Sequence, residues 1–403
     1  MAFNFVDSRP VVVIYKDKLL TLSQTFVRAQ AEALQQYVPV YAGARCETES
    51  LSLPEGRWTV INQNTWRGRV GEFAFYLAGW SPKLVRELRQ VNPVLVHCHF
   101  GVDSIRGMYL AKKLGVPLLV TFHGYDATIN PEFAPDYRYR EYIRKRPLLS
   151  RRATRFITVS NYLRQRLLDQ GFPAEKIITH YIGIDTEFFK ADPDVAREPV
   201  VLFVGRLVEK KGCEYVIRAM SELRVNHPAA RLVVIGDGVL RGKLQQLAQQ
   251  LCPNTIFLRA QSPQQVRHWM NRASVFCVPS LTARNGDQEG FGLVFAEAQA
   301  MGLPVVSFDS AGVPEAVENG VTGFLLPERD HEGLASSISM FLSNRELWQK
   351  VSSAGVARVR SRFNLRTQTR LLEDIYSSMI GKAPARVEQQ HQELEAATGV
   401  RAS

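Results

Sequence analysis

Residues 200–212 read V-V-L-F-V-G-R-L-V-E-K-K-G, an apolar run that ends at Gly205 and is followed by basic residues. The run is rich in β-branched residues, which is typical of a buried strand, and residues 213–223 show a helical pattern. Gly205 permits a tight turn after the strand. Arg206 could offer a planar guanidinium group, and Lys211 a mobile ammonium group, to a diphosphate. Because basic residues after a strand are usually only solvated, this segment alone is a weak indication of a ligand.

Short apolar runs alternate with helical patterns along almost the whole chain. Alternation of this length predicts an α/β protein with parallel sheets that are covered by helices on both faces. Right-handed crossovers make each sheet doubly wound and Rossmann-like. The predicted strands are 11–15, 94–97, 118–122, 156–159, 177–181, 200–204, 232–235, 255–258, 275–278, 305–308 and 323–326, and the predicted helices include 23–35, 103–114, 161–169, 213–223, 239–251 and 263–270.

The alternation pauses once, between Thr186 and Pro199, where Asp192-Pro193-Asp194 breaks the pattern. We therefore predict two domains that face each other across a cleft, since ligands bind beyond the carboxyl ends of parallel strands. The predicted ranges are 1–190 for the N-terminal domain, 191–199 for a linker, 200–360 for the C-terminal domain, 361–380 for a helix that packs back toward the N-terminal domain, and 381–403 for a disordered tail.

The composition is that of a soluble globular protein: 403 residues are 45% hydrophobic and 22% charged. No apolar run approaches the roughly 20 residues needed to span a bilayer, and the first residues lack a secretory pattern. The five cysteines form no C-x-x-C pair, which indicates reduced thiols. We therefore expect a cytoplasmic protein.

The formal net charge of +11 is concentrated partly between Tyr137 and Arg155, where eight basic residues accompany one acid, Glu141. Such a run is often a solvated helix face. The alternative is a basic surface, with interleaved tyrosines, that rests on anionic lipid. No nucleic-acid motif accompanies it, so we expect no nucleic-acid partner.

A second informative segment, residues 289–297, reads E-G-F-G-L-V-F-A-E and leads from a loop into a helix. Its glycines allow backbone N–H groups to approach a ligand, and the helix start at Gly292 suits a phosphate. Glu297 could accept hydrogen bonds from a ribose diol, and Glu289 is placed for sugar hydroxyls. The helix is otherwise apolar, so a buried acid in it needs a partner.

A third segment, residues 121–126, reads T-F-H-G-Y-D at the end of a predicted strand, and it places His123 on the expected ligand edge. Other patterns are set aside. Gly236-Asp237-Gly238 lacks the spacing of a dinucleotide site, and no P-loop occurs. Strand alternation separates Cys98 from His97 and His99, so these three residues do not form a metal site. We predict no essential metal and no cofactor.

Together, Gly205-Arg206 with Lys211-Gly212, the acid pair Glu289 and Glu297, and His123 resemble glycosyltransferase family 4, the group 1 retaining transferases. The segments G-L-P-V-V at 302–306 and V-I-G-D-G at 234–238 match its second domain. Within the family the chain looks like the bacterial exopolysaccharide transferases of the colanic-acid and amylovoran type.

The resemblance implies the GT-B architecture, with acceptor binding in the first domain and nucleotide-sugar binding in the second. It implies residue roles as follows: catalytic, His123, Arg206, Lys211 and Glu289; donor-binding, Gly205, Arg206, Lys211, Gly236, Glu289, Gly290, Phe291, Gly292, Leu293, Val294 and Glu297; acceptor-side candidates, Ser23, Gln24, Tyr125 and Asp126. The usual glycine-rich loop after the first strand is replaced by residues 16–23, which puts the acceptor contacts in doubt.

The implied activity is retaining, metal-independent transfer of a hexosyl unit from a UDP- or GDP-linked sugar. The implied acceptor is a saccharide or lipid-linked saccharide in the synthesis of cell-surface polysaccharide or lipopolysaccharide. A peripheral position on the inner face of the cytoplasmic membrane would suit such an acceptor. Two alternatives stay open: a non-catalytic scaffold of the same shape that binds a nucleotide sugar or lipid, and an enzyme of phosphorolysis or epimerisation.

Overall fold

The computed structural model describes residue 3 and residues 7–21, 24–46 and 51–381, and they form two parallel α/β domains that face each other. The predicted tail after Gly381 and the acceptor-side candidate Ser23 lie outside the described residues. The described strands of each sheet pair only in parallel, as the alternation of strands and helices predicts.

The first sheet has the strand order β2-β3-β1-β5-β6-β7-β8, and β4 pairs with β3. Its strands are β1 (Val11–Tyr15), β2 (Lys18–Leu19), β3 (Val38–Cys46), β4 (Trp58–Asn62), β5 (Pro93–His99), β6 (Leu118–Phe122), β7 (Arg155–Thr158) and β8 (Ile177–Thr179). The order reverses between β1 and β5, and a doubly wound sheet opens a crevice at such a point.

The second sheet has the order β11-β10-β9-β12-β13-β14. Its strands are β9 (Val200–Val204), β10 (Arg231–Ile235), β11 (Ile256–Leu258), β12 (Val275–Cys277), β13 (Val305–Phe308) and β14 (Gly323–Leu326). Here the order reverses between β9 and β12, so the loops that follow these two strands line the crevice. Those loops carry the two motifs that the sequence singled out.

Helices cover both sheets. Those of the first domain are α1 (Thr25–Glu32), α2 (Trp66–Ala78), α3 (Pro82–Arg89), α4 (Gly101–Leu114), α5 (Tyr125–Thr128), α6 (Tyr137–Arg152) and α7 (Asn161–Asp169). The others are α8 (Cys213–Leu223), α9 (Arg241–Leu251), α10 (Pro263–Arg272), α11 (Leu293–Ala300), α12 (Val313–Ala316), α13 (His331–Ser343), α14 (Arg345–Arg362) and α15 (Leu365–Met379). None of the helices in the described part of the chain is long and apolar enough to cross a bilayer.

Strands β3 and β4 were not among the predicted strands. Pro39 and Gly43 interrupt the apolar pattern of β3, yet its residues are buried between β1 and β4. Gly43 is needed there because a Cβ atom would lie 2.4 Å from the backbone oxygen of Lys16. Tertiary packing therefore overrides the local propensity of this segment.

The chain crosses between the domains at two adjacent places. Ile184 N–H donates to the Phe363 oxygen at 2.6 Å, and Leu365 N–H donates to the Ile184 oxygen at 2.9 Å. Beyond this second crossing, α15 packs on the first sheet, where the Tyr37 and Ser377 hydroxyls lie 2.8 Å apart. The segment predicted as a linker is anchored to the second domain, since Arg197 donates to the Met301 oxygen at 2.6 Å.

Candidate functional site

The loop after β9 presents its two lysines in different ways. A 3-10 turn at Glu209–Lys211 follows the strand. Lys210 is buried and its Nζ contacts Asp287 Oδ1 at 2.8 Å, which ties this loop to the loop after β12. The Leu281 N–H also donates to the Lys210 oxygen, at 2.8 Å. Lys210 therefore holds the two loops together, and Lys211 is the lysine placed for the crevice.

Lys211 and Glu289 form an ion pair across the crevice of the second sheet. The side chains of both residues are 12% exposed, so water screens the pair poorly. Burial alone would raise the pKa of the Glu289 carboxyl, but the charges of Lys211, Lys210 and Arg206 outweigh that effect and hold its pKa at about 2. Glu289 is therefore a carboxylate at every physiological pH, and it can accept hydrogen bonds from hydroxyl groups.

Arg206 lies at the end of β9 and is exposed. Among the described residues its side chain forms no hydrogen bond and no ion pair, although its charge acts on Glu289. Gly205 and Gly236 let the ends of β9 and β10 meet closely, because a Cβ atom on Gly236 would lie 1.9 Å from the Gly205 oxygen. The structure thus leaves one guanidinium group free at the crevice, beside the lysine of the ion pair.

Helix α11 begins at Leu293 after Gly292, and its first turn carries no acidic residue. Its first N–H groups, including those of Leu293 and Val294, are free of intrahelical partners and suit an anion. Glu297 lies one turn further along the helix. Burial raises the pKa of Glu297 to about 7, against a smaller lowering by Lys211. This carboxyl group therefore titrates near neutrality, unlike Glu289.

Gly290 is one of the points where the second domain touches the first. A Cβ atom on Gly290 would lie 2.3 Å from the His123 oxygen, and one on Gly312 would lie 2.0 Å from the Gly290 oxygen. Gly124 is also close, with 3.2 Å between its ideal Cβ position and the Gly290 nitrogen. The structure therefore brings His123 and Glu289, which are far apart in sequence, to one place. The ring of Phe291 points elsewhere and packs between Tyr181 and Phe363.

His123 belongs to a row of three histidines, of which His97 and His99 are buried. His123 Nε2 lies 3.0 Å from His99 Nδ1, and the His99 ring stacks on the His97 ring at 4.3 Å between centroids. Burial, with smaller contributions from His97 and Lys16, lowers the pKa of His123 to about 3. His123 is therefore neutral, and its buried Nδ1 has no hydrogen-bond partner among the described residues.

The acceptor-side candidates are only partly placed at the crevice. Gln24 precedes α1, and Phe26 of that helix packs against the His123 ring at 5.0 Å. Tyr125 is half-buried, and burial raises its pKa to about 12. Asp126 is 0% exposed and accepts hydrogen bonds from the Gly101, His123 and Gly124 N–H groups. Asp126 therefore positions the turn that carries His123, and its place among the acceptor-side candidates stays a prediction.

Sequence reasoning missed a buried charge network beneath the first crevice. Lys16 Nζ contacts Asp103 Oδ2 at 2.8 Å, and Arg138 contacts Asp17 Oδ2 at 2.8 Å as well as Asp103. Burial and the nearby Asp103 raise the pKa of Asp17 to about 6. The sequence did contain a signal for this network, since Lys16 and Asp17 follow β1, where the strand order reverses. These residues occupy the place of the expected glycine-rich loop.

Further contacts between the domains were also missed. Glu315 accepts hydrogen bonds from the Asn161 and Tyr162 N–H groups at 2.8 Å each and from the Tyr181 hydroxyl at 2.9 Å. It therefore caps α7 of the opposite domain. The Gln288 N–H donates to Thr128 Oγ1 at 3.2 Å. No local pattern in the sequence marks these partners.

The basic segment between Tyr137 and Arg155 coincides largely with α6. Tyr139 and Tyr142 are buried in the core, so these two tyrosines are not surface residues as the lipid interpretation supposed. Glu141 binds Arg106 at 2.6 Å and Lys145 at 2.7 Å. The arginines of the helix that remain exposed are Arg140, Arg144, Arg151 and Arg152.

In the part of the chain that the structure describes, no group of three or more His, Cys, Asp or Glu side chains could hold a metal ion. His97 and His99 share one face of β5, while Cys98 faces Gly107 on the other, as strand alternation predicts.

Both halves of the chain are similar to known proteins. The family model for glycosyl transferases group 1 matches residues 185–358, and that for Glycosyltransferase Family 4 matches residues 24–188. The amylovoran biosynthesis glycosyltransferase AmsK of Erwinia amylovora is 32% identical over 288 residues, which cover 70% of this chain and 69% of the relative. The putative colanic acid biosynthesis glycosyltransferase WcaL of Escherichia coli K12 is 31% identical over 293 residues, or 70% of each chain.

Among solved structures, HepE of Anabaena in complex with UDP and glucose superposes with a TM-score of 0.74. It is 20% identical and covers 91% of this chain and 99% of its own, so the likeness shows a shared fold. The fold is GT-B, as the sequence predicted. On the two family matches and the two relatives, the chain belongs to the group 1 glycosyltransferases, with a family 4 domain in its N-terminal half.

Proposed function

We propose that this glycosyltransferase moves a hexosyl unit from a nucleotide diphosphate sugar to a saccharide or lipid-linked saccharide acceptor in cell-surface polysaccharide synthesis. One observation carries the proposal. The Lys211–Glu289 pair, the free Arg206 and the start of α11 lie at the crevice of one domain, and Gly290 brings them against His123 of the other. Such a site can hold a diphosphate and a sugar together while an acceptor enters from the opposite domain.

The division of roles follows from charge and ionisation. As the bond between the sugar and the diphosphate breaks, negative charge builds on the diphosphate, and Arg206, Lys211 and the N–H groups at the start of α11 stabilise it. Glu289 stays ionised, so it accepts hydrogen bonds from the hexose hydroxyls together with the backbone of residues 290–292. Glu297 accepts hydrogen bonds from the ribose hydroxyls. His123 is neutral, and we assign it a place near the reacting sugar.

In the absence of donor, Lys211 and Glu289 neutralise each other. Donor binding offers each of them a second partner, a phosphate for the lysine and hydroxyl groups for the glutamate. The pair therefore keeps both charges desolvated and oriented before the donor arrives, which lowers the reorganisation needed for the reaction. The charges that stabilise the departing diphosphate come from the protein, so the reaction is proposed to need no metal ion.

The reaction is tested by incubating the full chain with UDP- and GDP-linked hexoses and a lipid-linked saccharide, with and without EDTA. We expect transfer from one donor class, unaffected by EDTA, with the anomeric configuration retained in the product. Arg206→Ala and Glu289→Ala should each lower transfer by about a hundredfold or more. Undiminished transfer by either variant would remove that residue from the mechanism.

Product analysis separates the other activities. Consumption of donor only in the presence of inorganic phosphate indicates phosphorolysis, and conversion of donor to its epimer without acceptor indicates epimerisation. A protein that binds donor but neither hydrolyses nor transfers it is a scaffold. Each of these results contradicts the proposed transfer.

We also propose a cytoplasmic location on the inner face of the membrane, where a lipid-linked acceptor is available. The exposed arginines of α6, Arg140 and Arg144 among them, support contact with anionic headgroups. Charge reversal at Arg140 and Arg144 should weaken membrane partitioning, and unchanged partitioning would contradict this role for α6.

A further inference from the structure

Helix α2 carries an exposed apolar stripe. Its four members are Trp66, Val70, Phe73 and Leu77, and their exposed fractions are 71%, 61%, 67% and 74%. The spacings of four, three and four residues place all four side chains on one narrow arc of the helix. In the described part of the chain, no residue covers this stripe.

The opposite face of α2 already packs on the protein. Gly68, Glu72 and Phe75 are its buried residues, and Thr65 accepts a hydrogen bond from the Gly68 N–H at the start of the helix. The helix is thus fixed in orientation by its inner face. Its outer stripe is therefore a permanent feature of the surface, and a contiguous apolar surface of this kind indicates a binding partner.

The charges around the stripe are of one sign. Arg67 and Arg69 are exposed, one on each side of the stripe. The single acid of α2, Glu72, is buried, where Asn62 donates to it at 2.6 Å and Arg45 lies at 3.7 Å. An apolar stripe flanked by arginines, with its acid turned inward, complements a surface that is apolar inside and negatively charged outside.

The neighbouring helix extends this surface. Tyr137, at the start of α6, is 57% exposed and its ring lies against Tyr76 of α2 with centroids 6.3 Å apart. The exposed Arg140 and Arg144 follow on α6. Tyrosine and tryptophan rings suit the boundary between headgroups and acyl chains, and arginines suit the headgroups.

The position of α2 places this surface near the first crevice. The helix follows β4, which runs parallel to β3, so α2 begins at the sheet edge where β5 and β6 place His99 and His123. Trp66, the first residue of the stripe, is therefore at the crevice end of the helix. We propose that α2 lies in the surface of an anionic lipid bilayer, through its apolar stripe and with Arg67 and Arg69 on the headgroups, and holds the first crevice at the membrane. The use of this contact for a lipid-linked acceptor rests on the proposed function, but the binding itself does not.

The test uses the full chain and sedimentation with vesicles of phosphatidylglycerol and phosphatidylethanolamine, or of phosphatidylcholine alone. The wild-type protein should bind the anionic vesicles. The double variant Phe73→Ser/Leu77→Ser should bind them with an affinity that is lower by about tenfold or more. The double variant Arg67→Glu/Arg69→Glu should bind anionic vesicles more weakly than the wild type, and added salt should reduce its binding less. A matched control is Val225→Ser/Val239→Ser, since these valines are 87% and 90% exposed on the second domain.

Four outcomes overturn the inference: no binding of wild type to anionic vesicles, equal binding to both vesicle types, equal loss in the stripe and control variants, or a wild-type dimer that the stripe variant dissociates. Circular dichroism and thermal unfolding of the stripe variant confirm that it is folded. Donor binding and transfer to a water-soluble acceptor should be unchanged in it. Loss of vesicle binding with intact transfer supports the inference, whereas absence of transfer in every protein contradicts the proposed function alone.

Discussion

We expect the ionisation of Glu297 to make donor use dependent on pH near neutrality. Its pKa is about 7, so the carboxylate form rises from about 10% at pH 6 to about 90% at pH 8. A carboxylate can accept hydrogen bonds from both ribose hydroxyls, whereas the protonated group must donate one hydrogen of its own. If only the carboxylate binds donor, kcat/KM for the donor should rise about tenfold between these pH values.

The variant Glu297→Gln separates binding from stability. Its kcat/KM should be low and should lack the rise between pH 6 and 8. In contrast to its activity, its free energy of unfolding should be higher than that of the wild type at high pH. The folded-state pKa of Glu297 lies above the ordinary 4.5, so the folded protein holds this proton more tightly, and the free energy of unfolding falls as pH rises from about 4.5 through 7. This loss of unfolding free energy is at most about 3 kcal/mol, and it is smaller to the extent that solvent reaches the half-buried carboxyl. The glutamine variant does not show the loss, because its side chain does not titrate.

The assay is the initial rate at donor concentrations well below KM, from pH 5.5 to 9, with thermal unfolding at pH 6 and 8. Glu332→Gln, at an exposed glutamate of α13, is the matched control. His123 does not confuse the profile because its pKa is about 3. Asp17, with a pKa of about 6, would add a rise that persists in Glu297→Gln. A Glu297→Gln protein that keeps the full wild-type rise would refute the assignment of Glu297 to the ribose.

Three further changes test the rest of the site. Lys211→Met should lower kcat/KM by about a hundredfold, while Lys243→Met on the exposed face of α9 should not, and equal rates would exclude Lys211 from charge stabilisation. Gly290→Ala places a Cβ atom 2.3 Å from a backbone oxygen of the opposite domain, so transfer and Tm should both fall, whereas Gly242→Ala, with no atom within 4 Å, should leave both unchanged. Glu315→Ala removes hydrogen bonds of 2.8, 2.8 and 2.9 Å to the first domain. In the absence of donor, the radius of gyration of this variant in X-ray scattering should therefore exceed that of the wild type. An unchanged radius would show that other contacts hold the domains together.

The fold was predictable because its pattern is local. The strands 200–204, 305–308 and 323–326 were predicted with the bounds that the structure has, since each is a short apolar run between turn residues. The strand order could not be read from the sequence, because it depends on which strands pair after each crossover. β3 and β4 escaped for a related reason, since their burial comes from neighbours and not from their own pattern.

The meeting of the residues that we assign to the donor was also predictable, because they lie in two short segments next to strand ends. Arg206 and Lys211 follow β9, and Glu289 precedes α11, so their meeting needs only the order of β9 and β12. The surroundings of the acceptor-side candidates were less predictable. Asp126 was expected to face a ligand because of its place in the motif, yet three backbone N–H groups surround its carboxylate. A motif fixes which residue is present but not which side of a turn its side chain occupies.

The contact at Gly290 shows why the two domains must be considered together. Each domain alone has a crevice of the usual kind, at β1 and β5 in the first and at β9 and β12 in the second. Because Gly290 lies directly against His123, the donor that we propose at Glu289 would lie beside the first domain. We therefore expect residues that connect the domains, such as Glu315, to control transfer without touching either substrate. Their effect should appear in kcat, whereas a loss at Arg206 should appear in kcat/KM for the donor as well.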